Sequence, residues 1–138
     1  MVLNSVVGAV VTSEDWLRIS KENYPLYRIL SQEDNNGKCF TTTYAIALYV
    51  PECTFIFGSM QLENGKDTAH VVLFRNEWVY DSNLKIHLKY EEYKKKFGFK
   101  EYVQTKLLEK DYNKFLDIVL EKLGYRSWCK TNNVTLFI

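Results

Sequence analysis

Two short β-rich segments stand side by side in the middle of the sequence. Residues 69–74 and 77–81 combine apolar, β-branched and aromatic side chains, and a polar Arg75-Asn76 pair separates them. Segments of this composition on either side of a two-residue turn predict a β-hairpin. An antiparallel hairpin buries one face against other elements, so the chain must supply a sheet and a cover for it.

The predicted turn determines which hairpin residues are neighbours. It places His70 directly opposite Asp81, where Cβ atoms are about 4.5 to 5.5 Å apart. A carboxylate at that distance accepts from one imidazole nitrogen and fixes the tautomer, so that the other nitrogen faces a third group. A three-residue turn without a bulge would move Asp81 to the opposite face. Taken singly, His70 is typical of an ordinary strand histidine and Asp81 of a turn residue.

A buried helix is predicted over residues 38–50, because Pro51 cannot continue it and apolar side chains cover two of its neighbouring sides. Cys39 lies in its first turn, where unpaired backbone N–H groups and the helix dipole favour a thiolate. A neighbouring imidazole would stabilise that thiolate further, which makes Cys39 a candidate nucleophile with His70 as its base. The alternative is a small packing residue, the commoner role of a buried cysteine.

The rest of the sequence predicts further elements around this helix and hairpin. They are a strand at 5–11, helices at 13–22 and 25–30, a polar loop at 31–37, a strand at 53–62 with a bulge at Gly58, a helix at 90–97 ended by Gly98, a strand at 99–106, a helix at 111–123 ended by Gly124, and a strand at 134–138. We therefore expect an α+β fold in a single domain of 138 residues, with the Cys39 helix packed on an antiparallel sheet.

Composition and charge exclude several classes of function. Eighteen basic and seventeen acidic residues give a net charge of +1, too balanced for the cationic surface that non-specific nucleic-acid binding needs. No apolar run reaches the roughly 18 to 20 residues of a membrane span, and no Lys or Arg precedes the first apolar stretch as in a secretory signal. We expect a cytoplasmic protein without a membrane or nucleic-acid partner. Three cysteines without a close pair and two histidines match no disulfide framework or metal motif, so no cofactor is expected.

Other polar and aromatic groups receive structural interpretations. The lysines at 94–96 could contact phosphate, but glutamates at 91, 92 and 101 interrupt the basic patch, so a solvated helix face is favoured. The ten tyrosines, including Tyr90, Tyr93 and Tyr125, are expected at half-buried packing positions, since the ring is apolar and the hydroxyl can reach water. His87 has no partner in the pattern and is expected on the surface.

An acyl-transfer site also needs hydrogen-bond donors for the developing oxyanion. These typically come from the backbone N–H of the nucleophile and a side-chain amide. The loop before Cys39 offers Gln32, Asn35 and Asn36. We favour Gln32, seven residues before Cys39, because its longer side chain can reach back to the start of the helix.

Four stretches of the sequence together carry a resemblance to a known family: Gly37-Lys38-Cys39-Phe40, the β-rich segment around Phe57-Gly58, His70 with the hydrophobic residues after it, and Trp78-Val79-Tyr80-Asp81. Over about residues 32–83 they resemble the Cys-His-Asp core of papain-like and transglutaminase-like proteins. The resemblance implies a Cys-bearing central helix on an antiparallel sheet. It implies Cys39 as nucleophile, His70 as base and Asp81 as the residue that orients His70, with Gln32 in the place of the oxyanion glutamine.

The function implied by this resemblance is that of a thiol-dependent acyl hydrolase or acyltransferase. Its substrate would be an amide or isopeptide bond of a protein or peptide, and the reaction needs no cofactor. The alternative is a non-catalytic inhibitor or adaptor that uses a similar scaffold to bind a partner protein. The small size of the chain and its many tyrosines suit that alternative equally well.

Overall fold

The computed structural model describes residues 39–48, 52–61 and 64–136. The elements in chain order are helix α1 (Cys39–Ala47), strands β1 (Thr54–Gln61), β2 (Asp67–Arg75), β3 (Trp78–Asp81) and β4 (Ile86–Lys89), helix α2 (Tyr90–Phe97), strand β5 (Lys100–Thr105), helix α3 (Tyr112–Asp117), a π-helical segment (Ile118–Lys122) and helix α4 (Tyr125–Thr131). The elements predicted at 5–11, 13–22 and 25–30, and the loop at 31–37 that contains Gln32, lie outside the described residues.

Five strands within these ranges form one antiparallel sheet in the order β4-β3-β2-β1-β5, which confirms the α+β class. The predicted bulge is present, since the pairing of β1 with β5 shifts between Phe57 and Gly58. Gly58 also pairs with His70 across β1 and β2. A Cβ atom at Gly58 would overlap the backbone carbonyl of Lys100, so only glycine lets β5 approach this closely.

The hairpin between β2 and β3 forms, but the predicted turn is wrong by one residue. Asn76 and Glu77 are the turn residues, with φ of 51° and 72°, and Leu73 pairs with Tyr80. Positive φ at both central positions is the type I′ geometry, whose twist matches that of the flanking strands. Arg75, Asn76 and Glu77 are all polar, so the sequence pattern did not distinguish between the two adjacent dipeptides.

This register changes how the two predicted site residues of the hairpin meet. His70 does not lie directly opposite Asp81, as predicted. Continuing the observed ladder brings Asp81 level with Val72, two residues from His70. Because side chains alternate between the two faces of a sheet, a displacement of two residues leaves His70 and Asp81 on the same face.

Buried side chains form two clusters around the sheet. The first joins α1, the central strands, α3, the π-helical segment and α4, and includes Ala69, Val71 and Leu73 of β2. The second includes Val72 of β2 with Val79, Tyr93 and Phe99. Successive side chains of β2 thus point alternately into the two clusters. His70 lies on the same face of the sheet as Val72, which belongs to the second cluster.

Several predicted boundaries differ from the structure. The helix predicted at 38–50 is α1, with a turn at Leu48, and residues 49–51 are outside the description. The helix predicted at 111–123 is α3 followed by the π-helical segment. Of the strand predicted at 134–138, residues 134–136 are described and form only a parallel bridge between Thr68 and Thr135, and residues 137–138 lie outside the description. Strand β4 and helix α4 were not predicted.

Candidate active site

Helix α1 brings Cys39 to the sheet beside the end of the hairpin. The helix packs against β2, and the ring of Phe40 stacks on Phe57 of β1 at 5.8 Å between centroids. The Thr43 hydroxyl lies 3.2 Å from the hydroxyl of Ser82, the residue directly after Asp81. These contacts fix α1 against the strands that carry the other candidate residues, and they leave Cys39 buried at 6% exposure.

His70 contacts both of the residues predicted as its partners. Its Nε2 atom lies 2.8 Å from Oδ2 of Asp81, and the Cys39 side chain is near enough to the ring to influence its pKa. Because Asp81 occupies Nε2, Nδ1 is the nitrogen left for the sulfur. The ring also lies edge-on to Phe99 at 6.3 Å, so it connects the cluster that contains Cys39 with the second cluster.

The Asp81 carboxylate is fully buried and accepts four hydrogen bonds. Oδ1 accepts from the backbone N–H groups of Asn83 and Leu84, at 2.9 and 3.0 Å. Oδ2 accepts from His70 and from the hydroxyl of Tyr93 in α2, which is 2.5 Å away. Burial alone would raise the pKa of this carboxyl, but the His70 and Tyr93 hydrogen bonds and the positive charge of His70 lower it, so Asp81 is ionised.

The charge on the imidazole follows from its two partners. Burial alone would lower the pKa of His70, but the hydrogen bonds to Asp81 and Cys39 and the negative charge on each raise that pKa to about 10. The protonated ring is therefore stabilised at neutral pH between a carboxylate and a sulfur.

A second tyrosine supports the backbone beside His70. The hydroxyl of Tyr125 in α4 donates to the carbonyl of Gly58 at 2.5 Å, and Gly58 is the strand partner of His70. Tyr125 is fully buried, and its ring packs against both Phe57 and Phe40. Helix α4 thereby holds the bulge of β1 in place behind the histidine.

Of the four predicted site residues, Cys39, His70 and Asp81 lie together, whereas Gln32 is outside the residues that the structure describes. The prediction for His87 was wrong, since it is half-buried and its ring stacks on Trp78 at 5.0 Å. The other two thiols have different surroundings. Burial raises the pKa of Cys53 to about 12, and burial also raises that of Cys129.

Tyr93 was missed as a residue of the site. The sequence prediction placed it at a half-buried position, but it is fully buried. Its spacing from Tyr90 is the available signal: residues three apart on a helix face the same way, and a tyrosine turned into a core requires a partner for its hydroxyl. Asp81 is that partner.

Two kinds of feature were sought in the described ranges: a cluster of metal ligands and a membrane-spanning helix. No group of three or more His, Cys, Asp or Glu side chains there is arranged to hold a metal ion. None of the helices in those ranges has the length and apolar character needed to cross a bilayer.

Comparisons with family models, curated proteins and solved structures return no match for this chain.

Proposed function

We propose that the protein is a thiol-dependent acyl hydrolase or acyltransferase that acts on an amide or isopeptide bond of a protein or peptide, on a papain-like or transglutaminase-like core. One observation supports this above all: the His70 ring bonds Asp81 through Nε2, and Cys39 lies near enough to the same ring to influence its pKa. The three residues come from three different elements, and all are buried. A cysteine that served only for packing would need no such arrangement.

In the proposed cycle the proton of Cys39 passes to Nδ1 of His70, and the resulting thiolate attacks the carbonyl carbon of the substrate. Asp81 stabilises the resulting imidazolium through Nε2. His70 then gives the proton to the leaving amine as the C–N bond breaks, which leaves an acyl group on the sulfur. Water or a second amine attacks this thioester and releases Cys39. The Cys39 N–H and, as the resemblance implies, Gln32 would hold the oxyanion.

Alkylation by iodoacetamide tests the first requirement, an activated sulfur. An ordinary thiol with a pKa of about 8.5 is under 1% ionised near pH 6, so a stabilised thiolate reacts at least tenfold faster. We expect Cys39 to show that advantage over Cys129, measured by peptide mass spectrometry. Both are buried, at 6% and 2% exposure, so limited access slows them alike.

The histidine variants identify the source of this reactivity. His70→Ala should abolish the advantage of Cys39, whereas His87→Ala is the matched control and should retain it. Equal, slow labelling of all thiols in the wild type would contradict the proposal and favour the inhibitor or adaptor.

Trapping of an acyl-enzyme tests the second requirement. Incubation with p-nitrophenyl acetate should add one acetyl group to the intact protein, and peptide mapping should locate it on Cys39. Cys39→Ala should remain unmodified, while Cys53→Ala should acylate like the wild type. A stable protein with a reactive Cys39 that never acquires the acetyl group would argue against acyl transfer.

A further inference from the structure

The Oδ2 atom of Asp81 serves two donors at once. The Tyr93 hydroxyl lies 2.5 Å from it and His70 Nε2 lies 2.8 Å from it. Tyr93 belongs to α2. Cys39, His70 and Asp81 belong to other elements, namely α1, β2 and β3. The hydroxyl and the carboxylate are both fully buried, so the hydrogen bond forms where electrostatic interactions are strong.

Sharing this oxygen affects the histidine in two ways. The hydroxyl fixes Oδ2 from the side of α2, while the amides of Asn83 and Leu84 fix Oδ1, so the carboxylate cannot rotate away from the ring. The partial positive charge on the hydroxyl hydrogen also reduces the negative potential that Oδ2 exerts on the imidazole. Without the hydroxyl, His70 alone would face the full charge of this oxygen.

We propose that Tyr93 is a positioning residue of the thiol site: by donating to the oxygen that His70 uses, it fixes the carboxylate and limits how tightly the imidazole holds its proton. The catalytic meaning of this inference rests on the proposed function. A base that must first receive a proton from sulfur and then give it to a leaving amine works best when its proton affinity is moderated.

The titratable groups that face this carboxylate and ring come from each element packed around them. Besides His70 and Tyr93 they are Cys39 from α1 and Tyr80 from β3, while Tyr90 of α2 influences Tyr93. Tyr90 provides a matched control, because it is buried on the same helix but its hydroxyl donates to Glu101 Oε1 at 2.6 Å. Removing either hydroxyl preserves a phenyl ring in the core.

The experiment is an NMR titration of the full chain with ¹⁵N-labelled histidine, which gives signals from His70 and His87 only. It is carried out in a Cys39→Ala background, because loss of the sulfur removes one of the groups that raise the pKa of His70. Tyr93→Phe should move the His70 midpoint upward by about half a pH unit to one unit, the size expected for one hydrogen bond to a charged group. Tyr90→Phe should leave it in place.

An unmoved His70 midpoint in folded Tyr93→Phe, or an equal shift in Tyr90→Phe, would overturn the inference. If Tyr93→Phe does not fold, 3-fluorotyrosine incorporated at position 93 replaces it. Its more acidic hydroxyl is a stronger donor and should move the midpoint downward, and no movement overturns the inference equally. The background lacks the thiol, so this result is independent of whether Cys39 reacts, and the two proposals can fail separately.

Discussion

Replacing Asp81 by asparagine changes one oxygen of the carboxylate to an NH₂ group at nearly constant volume. The amide oxygen can still accept from the backbone N–H groups that now bond Oδ1. The NH₂ group would then face two donors, the Tyr93 hydroxyl and His70 Nε2. We expect His70 to become neutral, with its remaining proton on Nδ1, which faces the sulfur. Because Nδ1 is then already protonated, it can no longer accept the proton of the Cys39 thiol.

The cost in stability follows from the burial of the pair. Removing one member of a buried ion pair costs about 3 to 5 kcal/mol, and the lower end applies because the backbone hydrogen bonds survive. A loss of about 3 kcal/mol with a urea slope of about 2 kcal/mol per M lowers the unfolding midpoint by about 1.5 M. Asp117→Asn, an exposed carboxylate of α3, is the control and should change the free energy of unfolding by less than about 0.5 kcal/mol.

The pH dependence gives this prediction its sign. The pKa of Asp81 is lowered, so its contribution to stability is present above the ordinary carboxyl pKa of 3.8 and is lost as pH falls through the lowered value. The pKa of His70 is raised, so its contribution is complete below the ordinary 6.5 and is lost as pH rises through about 10. Urea unfolding near pH 6 should therefore show the largest difference between wild type and Asp81→Asn. A midpoint lowered by less than about 0.3 M there, or a difference that persists unchanged at pH 11, would refute the reasoning.

Three further predictions concern the backbone that holds the site, and urea unfolding checks each of them. Gly58→Ala should lower the free energy of unfolding by about 2 kcal/mol or more, because the added Cβ overlaps the Lys100 carbonyl. Gly65→Ala, in an open turn with φ of 82°, is the control and should cost only about 1 kcal/mol. Equal losses in the two variants would show that the close approach of β5 is unimportant. Tyr125→Phe should cost about 1 to 2 kcal/mol through the unpaired Gly58 carbonyl, and an unchanged midpoint would count against that hydrogen bond. Glu77→Gly should raise stability by about 0.5 kcal/mol, since it relieves a left-handed glutamate in the type I′ turn, and a loss of stability would contradict that account.

Helix α2 shows what the sequence could predict. Its bounds, Tyr90–Phe97, agree with the prediction because Gly98 adopts the left-handed conformation that ends a helix. The hairpin was predicted for a similar reason, from period and composition. Its turn was misplaced because Arg75-Asn76 and Asn76-Glu77 are both polar, and only the φ values distinguish them.

The elements that were missed gave weak local signals. Strand β4 has only four residues and no fully buried side chain. Its two apolar positions, Ile86 and Leu88, are too few to establish the alternating pattern of a strand. Helix α4 begins directly after Gly124, which also ends the preceding helical segment, and a single glycine was interpreted only as a stop.

The contact between His70 and Asp81 depends on which face of the sheet each side chain occupies. Displacing the pairing by two positions kept His70 and Asp81 on one face, whereas displacement by one would have separated them. Tyr93 could not be assigned in the same way, because its contact with Asp81 depends on how α2 packs over the sheet rather than on local periodicity.

The hydrogen bonds that residues 125–135 make with β1 and β2 affect the order in which the protein can mature on the ribosome. Tyr125 donates to the Gly58 carbonyl, and the Thr135 carbonyl accepts from the N–H of Ala69, next to His70. Translation delivers Cys39, His70 and Asp81 well before either of these partners. A nascent chain that ends before residue 125 therefore contains Cys39, His70 and Asp81. The strands around the imidazole still lack the hydrogen bonds with Tyr125 and Thr135. We therefore expect Cys39, His70 and Asp81 to reach their final arrangement only after α4 has been synthesised.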